Sequence, residues 1–527
     1  MQERVAAHEV AARERLLPNI IAAELIYYIS TMQTQNEFVK VRLGKLAKMR
    51  EMGINPYPYK FTLTHHSDKL KEKAEELIAS GENISWAGRI VRYNRKGKMC
   101  FMHLKDAKGR FQVLAVSSEL SEAEYEIVKS MDIGDWVGAS GIMMKTIKGE
   151  YTLQAKKIEI ISKAVYPLPI PKEKRDENGN VTIFDEFKDI ETRYRERYID
   201  LALNDNVREV FHKRTRIIQS IRDYLIEKGF LEVETPTLQP IYGGANARPF
   251  ETHHNAADMK LYLRVAPELY LKRCIVGGLE KVFEFTKNFR NEGMDRNHSP
   301  EFCSVEFYEA FSDYNDMMVH FENICERACI AANGTSKVEY QGKEIDFKAP
   351  WPRLTVYEAI QKYAEISVEE LSDEQLKTEL EKRHVKLDGK WSRGRAILAL
   401  FEETCEHQLI QPTIIKDMPK ESAPLCKAHR SNPDLIEQFE PYANGWEIGN
   451  AYSELNDPVL QRKLLEEQVE RGRGGEDETH PMDENFLHAI ECGMPPTGGA
   501  GIGIDRLVML LTNQATIRDV QLFPLMK

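Results

Sequence analysis

The spacing of apolar and polar positions changes character several times along this chain. Over Ile84–Tyr93, Cys100–Asp106, Arg110–Val116, Asp135–Met144 and Tyr151–Ile161 it is alternating or β-rich, with Gly97, Gly109, Gly134 and Gly149 marking turns, and this predicts five short strands. Ser121–Met131, between the third and fourth runs, has helical spacing, so the segment reads as a five-stranded Greek-key β-barrel with a helix after its third strand. Further on, Val207, Val210, Phe211, Ile217, Ile218, Ile221, Leu225 and Ile226 repeat with helical period until Gly229 stops them, and Phe230–Val233 follows as a strand. Helices then mix with β-rich runs such as Leu261–Val265, Lys281–Phe285 and Cys303–Glu309, the pattern of an α+β domain. The first forty residues carry Val5, Leu16, Leu17, Ile20, Ile21 and Leu25 at helical spacing and no lysine before Lys40, which predicts a helical extension rather than a basic arm. The division expected is an extension over 1–40, a helical lead-in over 41–83, the barrel over 84–163, a linker over 164–190 around the Pro-rich, then charged PLPIPKEKRDENGN, and an α+β domain over 191–527.

Charge sharpens this picture. The 527 residues carry a formal net charge of −11, yet 14 basic residues face 9 acidic ones between Ile84 and Lys163, so a basic module sits in an acidic protein. Arg89, Arg92, Lys98, His103 and Arg110, interleaved with Tyr93 and Phe101, supply both phosphate-binding charge and stacking planes, which favours a barrel of the oligonucleotide-binding (OB) type over a purely structural one. No apolar run approaches the roughly 18–20 residues a membrane span needs, and Leu16–Ile29 is interrupted by Pro18, Asn19 and Glu24. The N-terminus also mixes Arg4, Arg13 and Arg15 with Glu3, Glu9 and Glu14, unlike a transit peptide, so a cytoplasmic protein with no membrane contact is expected. Eight cysteines without a Cys-x-x-Cys pair suggest free thiols, with neither a disulfide framework nor zinc.

Three islands concentrate chemistry. In Val282–Phe311, FRNEG ends one strand and a loop leads to Glu301-Phe302 and a second, so a hairpin brings Arg290, Glu292, His298 and Phe302 together; an arginine with an aromatic can hold a phosphate and a purine, although a single Arg–Glu pair on a hairpin is more often a surface ion pair. In Gln438–Pro458, Glu440 and Glu447 stand seven apart, and Asn450, Tyr452 and Glu454 alternate on one strand face. Carboxylates converging there would suit Mg²⁺ with nucleotide phosphates, whereas such acids alone are usually just solvated. In Gly498–Leu510 a glycine-rich strand enters an apolar helix at Asp505-Arg506. There is no Walker or Rossmann loop, so nucleotide binding must proceed otherwise.

In series, GFLEVETPTL (229–238), FRNEG with His298 and Pro300-Glu301-Phe302, and GIGIDR (501–506) resemble motifs one, two and three of the class II aminoacyl-tRNA synthetases. YGGANARPFETHHN (242–255), LRVAPELYLKR (263–273) and GWEIGNAYSELNDP (445–458) are similar to the lysyl-tRNA synthetases of that class, a likeness running from about Arg42 to the C-terminus. The resemblance implies a catalytic domain built on an antiparallel sheet with flanking helices, a homodimer, and ATP-dependent ligation of L-lysine to its tRNA through a lysyl-adenylate. It implies Arg290 and Arg506 as catalytic residues, with ATP held by Arg290, Glu292, His298, Phe302, Glu440 and Arg506, and Mg²⁺ by Glu440 and Glu447. Lysine would be held by Gly244, Glu268, Arg290, Glu306, Tyr308, Asn450, Tyr452 and Glu454, and the U-rich anticodon by Phe101, Gln112 and Glu150. Ser299 and Ala423 depart from the family's usual Asn and Ser. A sibling ligase for aspartate or asparagine would need cationic or amide groups where Glu268 and Glu454 stand. A non-catalytic nucleic-acid-binding descendant would be expected to have lost Arg290, Glu440, Glu447 or Arg506, and all four are present.

Overall fold

The computed structural model describes residues 37–175, 181–184, 187–387, 391–474 and 480–527. Most of the expected N-terminal extension, 1–36, and part of the expected linker lie outside them. The chain forms two compact units, divided between Asp189 and Ile190.

In the first unit, helices α1 (Glu37–Glu51), α2 (Ser67–Glu72) and α3 (Ala74–Ser80) precede the five strands β1 (Ile84–Lys96), β2 (Met99–Lys105), β3 (Arg110–Val116), β4 (Trp136–Lys145) and β5 (Tyr151–Ser162), with α4 (Glu122–Ser130) between β3 and β4. Their order β1-β2-β3-β5-β4 closes on itself as a barrel. Alternation turns Trp86, Met102, Val113, Val137 and Leu153 into a common core, which Leu70, Ala74 and Leu77 of α2 and α3 cap. Helix α4 starts at a capping box in which Ser121 and Glu124 satisfy one another's backbone N–H groups. Two residues of the basic face go elsewhere. A bulge between Ile90 and Arg92 resets the alternation of β1, so Tyr93 packs against the core with its hydroxyl donating to the Val128 carbonyl at 2.7 Å. Arg89 donates to the Gly134 carbonyl and lies 5.0 Å over the Trp136 ring.

The second unit is organised by a nine-stranded sheet. The strands of this sheet and the helices named below are α5 (Asp205–Glu227), β6 (Leu231–Glu232), α6 (Glu268–Val276), β7 (Lys281–Phe289), β8 (Glu301–Ala310), α7 (Tyr314–Asn333), β9 (Arg353–Thr355), β10 (Thr413–Pro419), β11 (Leu435–Ala443), β12 (Trp446–Glu447), β13 (Gly449–Ser453), β14 (Thr497–Gly503) and α8 (Ile504–Leu511), with, among the described residues, further helices and two small sheets around them. Strand order is β9-β10-β11-β13-β14-β8-β7-β6, with β12 paired to β11. The expected antiparallel sheet is therefore mixed: β6 runs parallel to β7 and β9 parallel to β10. In both cases a long excursion separates the two strands in sequence, a small three-stranded sheet and α6 in the first and a run of helices in the second, as parallel neighbours require. One face of the sheet is apolar. Phe283, Val305, Phe307, Phe439, Ala451, Ala500 and Ile502 pack there against Met317, Phe321 and Cys325 of α7 and Leu507 and Leu511 of α8. Among the described residues no helix is long and apolar enough to cross a membrane.

Candidate active site

The opposite face of the same sheet is polar, and strand register explains why. Residues paired across neighbouring strands point the same way, so Glu284, Glu306, Gly501 and Asn450 form one transverse row. Tyr308, Gly499, Tyr452 and Gln438 form the next. The glycines of β14 lie at the middle of both rows and leave a hollow. A Cβ on Gly499 would fall 2.1 Å from Glu454 Oε1 and 2.5 Å from Tyr308 Cε1, and one on Gly501 would fall 3.3 Å from Glu306 Cγ.

The hollow is a cavity of about 480 Å³. Gly244, Glu268, Arg290, Glu292, His298, Phe302, Glu306, Tyr308, Glu447, Asn450, Tyr452 and Arg506 line it, bringing together residues from all three sequence islands. Gly244 closes it at φ +88°, where a Cβ would stand 2.9 Å from that of Glu268. Glu440 and Glu454 are not among the lining residues and stand behind the wall.

At one end the Arg290 guanidinium lies 5.0 Å from the Phe302 ring centroid, and its buried Nε has no hydrogen-bond partner. An uncommitted guanidinium beside an aromatic face suits an anion joined to a planar base. Arg506 donates from Nη1 to the Glu447 carbonyl at 2.8 Å, and its Nη2 lies 2.8 Å from His298 Nε2. Arginine can only donate, so Nε2 accepts and the ring proton sits on Nδ1, 2.7 Å from Asp295 Oδ2. His298 thus links Asp295 to Arg506 through its ring.

The other end is acidic. Tyr308 donates to Glu306 at 3.1 Å, and burial, followed by the nearby Glu268 charge, pushes Glu306 up to about 8. Glu268 opens α6, where a carboxylate gains from the helix N-terminus, and burial raises its pKa against the opposing pull of Lys272. Burial likewise lifts Glu454 to about 8. Lys272 Nζ lies 2.6 Å from Glu268 Oε1 and touches Glu454 Oε2. Sequence reasoning passed over Lys272, although its i, i+4 spacing from Glu268 on a helix signals the pairing.

Glu440 and Glu447 come from adjacent strands, Glu447 pairing with Tyr442. The Tyr442 hydroxyl stands 2.7 Å from Glu440 Oε2 and 3.0 Å from Glu406 Oε1. Burial, then the Glu447 charge, raises Glu440 to about 8. A buried carboxylate raised by a neighbouring carboxylate in this way would be relieved by a divalent cation. Among the described residues no group of three or more His, Cys, Asp and Glu could hold a metal, so these two fit one only if phosphate oxygens complete its shell.

In the barrel, His103 pairs with Gln112 across β2 and β3. Gln112 Nε2 donates to Glu150 Oε2 at 2.8 Å, and His103 Nε2 lies 3.1 Å from Glu150 Oε1. The half-buried Phe101 shares their face two residues along β2.

A family profile described as tRNA synthetases class II (D, K and N) matches residues 189–527, and one described as an OB-fold nucleic acid binding domain matches 84–161. A lysine–tRNA ligase of Clostridium novyi is 47% identical over 93% of this chain and 95% of its own. Proteins of the same description from Porphyromonas gingivalis and Carboxydothermus hydrogenoformans are 46% identical, over 92% and 94% of this chain and 85% and 99% of their own.

Proposed function

This chain belongs to the class II tRNA synthetases, among the lysine–tRNA ligases that join lysine to tRNA, and we propose that its 480 Å³ cavity is where lysine and ATP form lysyl-adenylate. The observation carrying this reading is the polarity of the cavity along its length: the cationic Arg290 and Arg506 with Phe302 at one end, Glu268 and Glu306 with Glu454 behind them at the other. A lysine carboxylate attacks the α-phosphorus of ATP and pyrophosphate leaves. The carboxylate is already ionised at neutral pH, so the reaction calls for positioning and neutralisation of charge rather than a general base. Arg290, with its partnerless Nε, supports the developing charge at the α-phosphate. Mg²⁺ held by Glu440 and Glu447 with the phosphates would supply further charge neutralisation.

Specificity follows from the same polarity. An apolar side chain would bring no charge to an end where Lys272 alone faces Glu268 and Glu454, leaving the surplus of carboxylate unmatched at several kcal/mol. The aspartate or asparagine alternative would bring a carboxylate or a neutral amide to carboxylates. In the barrel, the Phe101 ring and the Gln112–Glu150 pair are the anticodon contacts of this reading. A homodimer and a cytoplasmic location complete it, and light scattering tests the former. The deciding experiment is amino-acid-dependent exchange of pyrophosphate into ATP: lysine alone should support it at micromolar to millimolar concentration. Exchange with aspartate or asparagine instead of lysine would refute it.

A further inference from the structure

Lys272 is a buried charge that the reaction described above does not use. Its side chain is fully buried and absent from the cavity lining. Nζ lies 2.6 Å from Glu268 Oε1, touches Glu454 Oε2, and is 3.4 Å from the Leu425 carbonyl oxygen. The ammonium therefore stands behind a pair of carboxylates whose open side is the cavity wall. Glu454 has no well-directed hydrogen bond on either oxygen.

We propose that Lys272 is a positioning residue for selection of lysine: an internal counter-cation that holds Glu268 and Glu454 in place and eases their ionisation toward an incoming ammonium. Two carboxylates with one ammonium leave one negative charge unmatched, which suits one ammonium tail. This rests on the lysine-pocket reading above. Without the counter-cation, two carboxylates buried side by side would hold a proton to still higher pH, and a protonated group has lost the charge by which an ammonium is chosen.

Other groups facing this cluster do not take over the role. Glu306 and Tyr308 of β8 and Tyr452 of β13 contribute negative charge or none, and Cys426 is a buried thiol whose pKa burial pushes well up. His480 is buried, and burial followed by the Lys272 charge depresses it to about 4, so it stays neutral. Burial works against the Lys272 charge, but Glu268 and Glu454 outweigh it and hold the ammonium above its usual range.

The test is Lys272→Met, unbranched, one atom shorter and uncharged, assayed by lysine-dependent pyrophosphate exchange between pH 6 and 9.5. KM for lysine at pH 7 should rise by about tenfold or more with KM for ATP within about twofold. The acid limb of kcat/KM for lysine should move up by about one pH unit. Lys272→Met combined with Glu268→Gln removes both members of the buried pair, a change folds often tolerate. There the lost attraction and the lost repulsion on Glu454 offset, and the limb should return to within about half a unit of the unaltered enzyme. If Lys272 only fills space, the limb stays put in the single variant and drops by about a unit in the double one; either result, or equal rises in both KM values, overturns the proposal. Failure of the underlying pocket reading looks different, because the unaltered enzyme would then show no lysine-dependent exchange.

Discussion

A single methyl group on Gly499 tests whether the cavity floor was built by leaving side chains out. Gly499 lies between Tyr308 of β8 and Tyr452 of β13. An alanine Cβ there would stand 2.5 Å and 2.6 Å from Tyr308 ring carbons and 2.1 Å from Glu454 Oε1. Carbon atoms at rest keep about 3.5–4.0 Å apart, so the ring must retreat by about 1 Å. Tyr308 is only 3% exposed, so its ring must either push its packed neighbours or encroach on the cavity it lines. Overpacking of this kind costs about 1–3 kcal/mol, so Gly499→Ala should melt several degrees lower. The carboxylate it displaces belongs to the lysine end. If lysine binding weakens by about 1.4–2.8 kcal/mol, KM for lysine rises about 10- to 100-fold. The atoms nearest the new methyl group belong to Glu454 and Tyr308 rather than to Arg290, Phe302 or Arg506, so KM for ATP should stay within about threefold. Pyrophosphate exchange with each substrate varied in turn, beside a thermal melt, measures all three quantities. A folded variant whose KM for lysine is unchanged, or whose KM for ATP rises equally, refutes the reasoning.

Lysine binding should tighten between pH 6.5 and 8.5, because Glu306 and Glu454 are held up to about 8 and only their ionised forms pair with an ammonium. The ordinary value is 4.5, so the empty folded pocket keeps protons that the unfolded chain releases, and its contribution to stability falls as pH rises from there through about 8. The increase in melting temperature caused by added lysine should therefore grow with pH, and a shrinking increase would contradict the assignment. Arg290→Gln should lose on the order of 10²–10³ in exchange rate while melting within a few degrees of the unaltered protein; activity within tenfold would remove Arg290 from the reaction. Phe101→Ala should weaken aminoacylation of tRNA and spare exchange, so equal loss in both assays would take the barrel face out of tRNA binding.

The residues of the cavity could be read from the sequence wherever they lie in contiguous motifs. FRNEG to Tyr308 became one hairpin because strand alternation and a loop are local properties, and Asn450 and Tyr452 share a face for the same reason. What could not be read depends on partners distant in sequence. The parallel edges come from where two crossovers land. The inward turn of Tyr93 comes from a bulge that period-2 counting does not register. Lys272 drew no reading from the sequence, and the approach of Glu454, 182 positions further along the chain, is what ties it to the acidic end from behind. The surroundings of Glu440 are only partly local: Tyr442 is its neighbour on β11, but Glu406, which meets the same hydroxyl, comes from a separate element earlier in the chain.

Strand β14 runs through the centre of the sheet as TGGAGIG, offering Ala500 and Ile502 to the core and little but backbone to the cavity. A surface made of peptide units clamped by strands on both sides has no rotamers to choose among. The bed on which substrates rest is therefore a rigid datum, and the amino acid accepted can be retuned only through the side chains of the surrounding walls. Within such a scaffold, divergence toward new substrates is confined to the rim while the centre stays bare.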